Sequence, residues 1–129
     1  MANQHIYSDL DLTFRRQPVK GDVSFSYDEQ AVVRSVKNLL QTSPYDRLFQ
    51  PTLGTTLNQL LFEPCTPLTA SLVQDEIIRM INNYEPRATI YNVTVTSSPD
   101  QNSFNASIYV FVGNQTSPTA INLILKRTR

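Results

Sequence analysis

The sequence predicts an α+β fold, in which an N-terminal arm and three helices pack on a C-terminal three-stranded antiparallel sheet. Apolar residues recur at helical spacing over residues 28–84, whereas apolar and polar residues alternate over residues 88–128. Between these regions stands Glu85-Pro86, which marks the end of a helix because proline lacks a backbone donor and disfavours helical geometry in the residue before it. Residues 1–27 are predicted to form the arm, and we expect the whole chain to make a single domain.

Composition narrows the possible classes of function. Eleven basic and eleven acidic residues give a formal net charge of zero, so the chain has no overall field that would attract nucleic acid or an anionic membrane. Cys65 is the only cysteine, which excludes an intrachain disulfide and a cluster of thiolate metal ligands from this chain alone. No apolar run approaches the roughly 20 residues that a membrane helix needs, and the N-terminus does not resemble a signal peptide. We therefore expect a cytoplasmic protein without a nucleic-acid or membrane partner.

The arm has few helical signals. Val23, Phe25 and Tyr27 alternate with polar residues, which is the period-two pattern of a short strand or an extended segment. Other apolar side chains are spread along the arm: Ile6, Tyr7, Leu10, Leu12 and Phe14. We expect an extended arm that lies against its own domain or against a partner.

The first helix is predicted over residues 28–41. Asp28 is a suitable N-cap, and Glu29 places a negative charge in the first turn, where it favours the helix dipole. An apolar stripe follows at helical spacing: Val32, Val36, Leu39 and Leu40. The segment Thr42-Ser43-Pro44 then ends the helix.

Two further helices are predicted after a connector at residues 45–51. A short helix spans about residues 54–63 and ends at Glu63-Pro64. A longer helix spans residues 67–84, with Thr66 as its N-cap and Pro67 at its first position, where the missing donor costs nothing. Its apolar face is predicted to contain Leu68, Leu72, Val73, Ile77, Met80, Ile81 and Tyr84.

The C-terminal third contains three predicted strands. They lie at about residues 90–96, 104–112 and 120–125, and the turns between them are short enough to make an antiparallel meander. No later strand follows the third one, so its outer edge could accept a strand from another protein. The residues of this strand that we predict to bind a partner are Ile121, Leu123 and Leu125. The charged pair Lys126-Arg127 could instead blunt the edge, at a basic tip that also contains Arg129.

The sequence offers no recognisable catalytic, cofactor-binding or metal-binding site. Five acidic residues are candidates for acid–base chemistry: Asp46, Glu63, Asp75, Glu76 and Glu85. No spacing among them singles out a pair with separate roles, which sugar hydrolysis requires. His5 lies in the arm and Cys65 has no base near it in sequence, so nucleophilic catalysis lacks a candidate. We therefore expect an interaction protein that is not an enzyme and needs no cofactor.

Six segments, taken in order, resemble those of a known family: IYSDLD (6–11), AVVRSVKNLL (31–40), FQPTLG (49–54), LLFE (60–63), TPLTA (66–70) and NYEPR (83–87). In this order and spacing the chain resembles the small baseplate wedge proteins of contractile-tailed phages, of the T-even gene 25 type. This sheath-initiator family is shared with the baseplates of type VI secretion systems. One departure lies in the connector, where the family often has a glycine followed by a basic residue. This chain keeps the basic residue as Arg47 and lacks the glycine.

The resemblance implies a structural role in the inner ring of a virion tail baseplate, assembled in the cytoplasm of the bacterial host. It implies docking on the core bundle of the wedge and initiation of sheath polymerisation through a sheet that resembles the sheath's own. Other wedge proteins and the tail sheath protein are the implied partners, with tube or hub proteins as further candidates. The family signature Glu-Pro-Arg falls on Glu85, Pro86 and Arg87, which we expect, together with Arg47, to contact partners.

An alternative is a peptidoglycan-cleaving, lysozyme-like tail enzyme, a label that the family has sometimes carried. The residues do not favour it, because Glu85 has Arg87 nearby to pair with and lacks a second carboxylate of assignable role. The sequence therefore favours the structural role.

Overall fold

In the computed structural model, which describes residues 6–126, three helices accompany a three-stranded antiparallel sheet, and this confirms the α+β class. In chain order the elements are β1 (Ser8–Leu10), β2 (Phe25–Tyr27), α1 (Asp28–Gln41), α2 (Leu57–Leu60), α3 (Pro67–Tyr84), β3 (Ala88–Ser98), β4 (Ser103–Val112) and β5 (Thr119–Lys126). The predictions made for His5 and for the basic residues Arg127 and Arg129 concern residues outside this range.

The larger sheet has the order β3-β4-β5, with each strand antiparallel to its neighbour. Side chains on one face of this sheet pack against α1 and α3 to form the core, which includes Val32, Val36, Val73, Ile77, Met80, Ile108, Val110 and Ile121. Within residues 6–126, the outer edges of β3 and β5 pair with no further strand. The sheet therefore has one covered face and two open edges.

The bounds predicted for the first and third helices are confirmed. The hydroxyl of Thr66 accepts a hydrogen bond from the Thr69 N–H at 3.3 Å, and Pro67 occupies the first helical position. At the other end, Glu85 leaves helical geometry with φ −126° and ψ 79°, as expected for a residue before proline. Caps and prolines thus fix both ends of α3.

The prediction that Asp28 caps α1 is wrong. Tyr27 holds the N-cap position, and Asp28 has a positive φ of 46°. Its carboxylate accepts hydrogen bonds from the backbone N–H groups of Ile6 at 2.8 Å and Tyr7 at 3.1 Å. Asp28 therefore binds the backbone of the arm instead of capping α1.

The predicted short helix is shorter than expected, because tertiary contacts take its first residues. The N–H of Thr55 donates to the Thr42 carbonyl at 2.9 Å, and Gly54 packs directly against the backbone of Pro44, so neither residue is helical. Beyond Leu60 the chain continues only as tight turns. The spacing of apolar residues is a local pattern, so it could not predict this contact between the segments on either side of the connector.

The apolar face predicted for α3 is wrong in its first two turns. Leu68 is 73% exposed and Leu72 is 47% exposed. The buried side at this end contains smaller residues, and Ala70 packs in a cluster with Leu61 and Phe104. Two bulky neighbours leave room for a small side chain, so the buried stripe passes through Ala70.

The arm folds back on itself. Strand β1 pairs antiparallel with β2, and backbone hydrogen bonds continue the pairing from Asp11 N–H to Ser24 carbonyl and from Gln17 N–H to Asp22 carbonyl. We call residues 8–27 the arm hairpin. Its inner side faces α1, whereas its apolar side chains Leu10 and Leu12 are more than half exposed.

Candidate partner-binding site

The Glu-Pro-Arg segment forms a partly buried ion pair where α3 ends and β3 begins. Arg87 donates from Nε to Glu85 Oε1 at 2.7 Å and from Nη2 to Oε2 at 3.2 Å. The hydroxyl of Ser35, on α1, donates to the same carboxylate. The Glu85 side chain is only 4% exposed, whereas Pro86 is exposed. The ion pair therefore ties the helix-to-sheet junction to α1.

Arg87 also holds the arm hairpin. Its guanidinium contacts the Asp9 carboxylate at 3.3 Å and lies 5.7 Å from the centre of the Tyr7 ring, a cation–π geometry. Glu85 and Asp9 thus share one arginine. We call the interaction of Arg87 with these two carboxylates the junction clamp.

A second arginine supports the attachment of the arm. Arg34, on α1, forms an ion pair with Asp11 and donates to the hydroxyl of Ser26 at 2.7 Å. The two arginines hold the inner side of the arm hairpin through polar contacts, and Asp28 holds the two residues that precede the hairpin. This leaves Leu10 and Leu12 on the outer side.

The protonation of the junction clamp follows from its contacts. Burial of Glu85 opposes its ionisation, but the hydrogen bonds from Arg87 and Ser35 and the charge of Arg87 outweigh burial and lower the pKa of Glu85. The hydrogen bonds to Glu85 are the main cause that raises the pKa of Arg87. Glu85 and Arg87 are therefore both ionised at neutral pH.

A cleft of about 490 Å³ opens between the arm hairpin and the connector. Leu10 and Leu12 line it from the arm, Arg47 and Gln50 line it from the connector, and Glu85 lies at its back. The structure thus brings Arg47 and Glu85, two of the predicted partner-binding residues, to one cleft. The sequence analysis named Leu10 and Leu12 as apolar residues of the arm but did not assign them to this site, although the alternation of carboxylates with leucines from Asp9 to Leu12 is a signal of two different faces.

The predicted residues of the last strand have a different arrangement. Ile121 is 1% exposed, and Leu123 and Leu125 are partly buried against the core. The intervening residues face the other side of the sheet, where Ile124 is 66% exposed. A strand that joins β5 would therefore pair with the backbone at its outer edge. The three predicted side chains would hold β5 against the core.

Stability is expected to fall in acid. The Arg79 guanidinium is the main cause that lowers the pKa of Glu76 from 4.5 to about 2, and the Thr13 N–H is the main cause that lowers the pKa of Asp11 from 3.8 to about 2. A carboxyl group with a lowered folded-state pKa stabilises the fold while ionised, and that stabilisation is lost as pH falls through the folded pKa. Urea unfolding at a series of pH values should give a midpoint that declines between pH 4.5 and 2.

The control for this prediction compares two neutralising variants. Glu76→Gln should flatten the decline, because the group with the shifted pKa is gone, whereas Asp100→Asn, at an exposed turn, should leave the profile unchanged. A midpoint that stays constant down to pH 2 in the unmodified protein would contradict the prediction.

The family model described as "Baseplate wedge protein gp25" matches residues 26–116, well over half of the chain. The chain belongs to the gp25 family of baseplate wedge proteins. This confirms the resemblance drawn from the six segments, and it places the chain among the structural proteins of contractile-tail baseplates.

Two proteins that are similar to this chain also come from baseplates. The baseplate wedge protein gp25 of enterobacteria phage T4 is 39% identical over 88 residues, which are 67% of this chain and 66% of that protein, slightly less than two thirds of its length. Among solved structures, a chain of the anti-feeding prophage baseplate has a TM-score of 0.73 at 24% identity, covering 85% of this chain and 88% of that one. At this identity the structural likeness shows the fold alone.

A further structural neighbour bears on the enzymatic alternative. A protein from Geobacter sulfurreducens designated a tail lysozyme has a TM-score of 0.69 at 19% identity, covering 78% of this chain and 92% of that one. The likeness again shows the fold and carries no activity to this gp25-family chain.

The contacts of Glu85 and Glu76 do not favour a role in hydrolysis. A general acid must hold its proton at the working pH, but the pKa values of Glu85 and Glu76 are both lowered by arginine partners. Asp46 accepts a hydrogen bond from the Ser43 N–H in a local turn. Among residues 6–126, no group of three or more His, Cys, Asp or Glu side chains is placed to hold a metal ion. No helix in that range is long and apolar enough to cross a membrane.

Proposed function

We propose that this gp25-family protein docks on the core bundle of a baseplate wedge and initiates sheath polymerisation by offering the open edge of β5 to the first sheath subunits. Docking uses the side of the molecule with Glu85, Pro86, Arg87 and Arg47. The observation that carries the proposal is the outer edge of β5, which pairs with no strand of residues 6–126, in a member of a baseplate wedge family. The protein acts as one unit, within a tail baseplate assembled in the cytoplasm of the bacterial host.

The two open edges of the sheet differ, and the difference favours β5. Every residue from Thr119 to Lys126 pairs in regular register with β4, so the outer edge of β5 is regular as well. Strand β3 has an irregularity between Ile90 and Asn92, where Tyr91 is the extra residue. Bulges of this kind twist a strand and hinder further pairing. A regular edge accepts an added strand through backbone hydrogen bonds.

The contacts within the junction clamp support the proposal that this side of the molecule docks on the wedge. Glu85 and Arg87 already satisfy each other, so their part in docking is to fix the position of the exposed Pro86 and of the cleft behind the connector. Arg47 lies on the wall of the same cleft and is exposed to a partner. Other wedge proteins are the partners on this side, the sheath protein is the partner on β5, and tube or hub proteins are further candidates.

Hydrogen–deuterium exchange tests the role of β5 directly. In the free protein, the amides of β5 that do not bond to β4 should exchange quickly, because in the described part of the chain only one side of this strand is paired. When the protein is bound to its wedge and sheath subunits are added, these amides should become protected at least about tenfold, as expected for amides that enter new hydrogen bonds.

The same sample contains its own control. The central strand β4 is paired on both sides, so its amides should be protected before and after addition of sheath protein. Sheath polymerisation on the wedge-bound protein without added protection in β5 would contradict the proposal. Protection at the outer edge of β3 would assign the role to the other edge.

A further inference from the structure

The connector carries the most exposed large apolar side chain among the described residues. Phe49 is 98% exposed, and its neighbour Leu48 is 92% exposed. Tyr45, on the same loop, is 81% exposed. Single exposed apolar residues are common on protein surfaces, but adjacent leucine and phenylalanine side chains with almost no contact to their own fold are a sign of an interaction site.

The loop that presents these side chains is closed at its base. The N–H of Tyr45 donates to the Pro51 carbonyl at 2.9 Å, which joins the two sides of the loop. Asp46 accepts from the Ser43 N–H at 2.8 Å, and its own N–H donates to the Ser43 carbonyl at 3.2 Å. Pro44 and Pro51 restrict the backbone on both sides.

Two contacts fix the closed loop to the body of the protein. The hydroxyl of Tyr84, at the end of α3, donates to the Thr52 carbonyl at 3.1 Å. Gly54 packs against the backbone of Pro44 so closely that no side chain could be added there. A loop held in this way loses little conformational freedom when it binds, so more of its contact energy contributes to affinity.

The charge beside the exposed pair indicates what the loop binds. Arg47 precedes Leu48, is exposed, and makes no hydrogen bond or ion pair to any residue in the described range 6–126. An arginine next to an aromatic anchor is typical of the few residues that carry most of the binding energy in a protein interface. Its guanidinium is suited to a two-pronged contact with a carboxylate.

We propose that Leu48 and Phe49 form a docking peg, which inserts into an apolar pocket on another baseplate protein whose rim carries a carboxylate for Arg47. This inference rests on the proposed function, because it assumes that the protein works inside a multiprotein baseplate. It adds to that function the residues that anchor the contact and the chemistry of the surface that receives them.

The test measures binding of the full-length protein to the purified wedge proteins encoded with it. Phe49→Ser should weaken binding on the order of 30-fold, as expected for an interface anchor. Arg47→Glu should also weaken binding, and it should remove part of the salt dependence. Both variants should keep the thermal midpoint of the unmodified protein, because these exposed side chains make little or no contact within the fold.

Val19→Ser provides the matched control. Val19 is 91% exposed at the tip of the arm hairpin, so its replacement removes a nearly fully exposed apolar side chain elsewhere on the surface. Its affinity should stay within about twofold of the unmodified protein, because most surface residues contribute little to a given interface. An equal loss with Val19→Ser would overturn the assignment to the peg.

A photo-crosslinking amino acid at position 49 identifies the receiving surface in the assembled baseplate. A crosslink to a different wedge protein supports the peg, whereas a crosslink to a second copy of this chain, or none, overturns it. If the unmodified protein binds no wedge protein, the proposed function fails. If it binds and Phe49→Ser binds equally well, only the peg fails.

Discussion

Arg87→Ala should lower the free energy of unfolding by about 3 kcal/mol, which is typical of removing one partner from a buried ion pair. Glu85, only 4% exposed in the unmodified protein, would lose its cationic partner and keep the hydrogen bond from Ser35. Asp9 would lose its contact as well, so the arm hairpin would be held by fewer interactions. Urea unfolding followed by circular dichroism measures the loss, and the thermal midpoint should fall by roughly 10 °C.

Two further variants make this prediction specific. Arg79→Ala removes an arginine that pairs with Glu76, but that arginine is half exposed, so the cost should be only about 1 kcal/mol. Adding Glu85→Gln to Arg87→Ala should restore part of the stability, because a buried amide costs less than an unpaired carboxylate. If Arg87→Ala and Arg79→Ala are equally stable, the junction clamp does not stabilise the fold.

Gly54→Ala should cost about 3 kcal/mol, at the upper end of the usual cost of overpacking. A Cβ at this position would clash with the Pro44 backbone nitrogen and would lie 2.5 Å from the Ser43 carbonyl carbon. Both atoms belong to the backbone, so no side-chain rotation relieves the contact. Separation of the two segments would also strain the hydrogen bond from Thr55 to Thr42. Thermal unfolding of the purified variant measures the effect.

Gly21→Ala is the matched control, because its added Cβ would approach only the flexible side chain of Arg16, at 3.2 Å. Its positive φ of 69° makes alanine unfavourable by about 1 kcal/mol, less than the clash at Gly54. Equal thermal midpoints for the two variants would show that the backbone contact at Gly54 can relax. Because Gly54 closes the loop behind the docking peg, its alanine variant should also bind wedge proteins more weakly.

The elements predicted best are those whose first and last turns contain residues that start or stop a helix. Thr66 and Pro67 begin α3, and Pro86 ends it, so its bounds follow from a few neighbouring residues. The sheet was predicted from alternation, which each strand carries within itself. The same local pattern failed for Leu68 and Leu72, because helical spacing cannot tell which of two apolar stripes meets the sheet.

The arrangement of the candidate site depends on contacts between distant parts of the chain. Asp9 and Arg87 are 78 residues apart, and no periodicity or motif connects them. The contact of Asp28 with the arm was missed for the same reason. The position of Asp28 at the start of a helix predicts a cap, and no local pattern indicates that its carboxylate binds the arm instead. The resemblance singled out Glu85, Pro86 and Arg87, but it could not say that the clamp also holds the arm.

The irregularity at Tyr91 has a consequence for the direction of assembly. Polymers that grow by adding strands extend from any edge that is regular enough to pair, so a sheet with two equal edges could start growth on both sides. In this protein β5 is regular, whereas β3 is interrupted near its start. If β5 receives the first sheath subunits, the bulge in β3 prevents the other edge from doing the same. Each copy of the protein then begins growth on one side only.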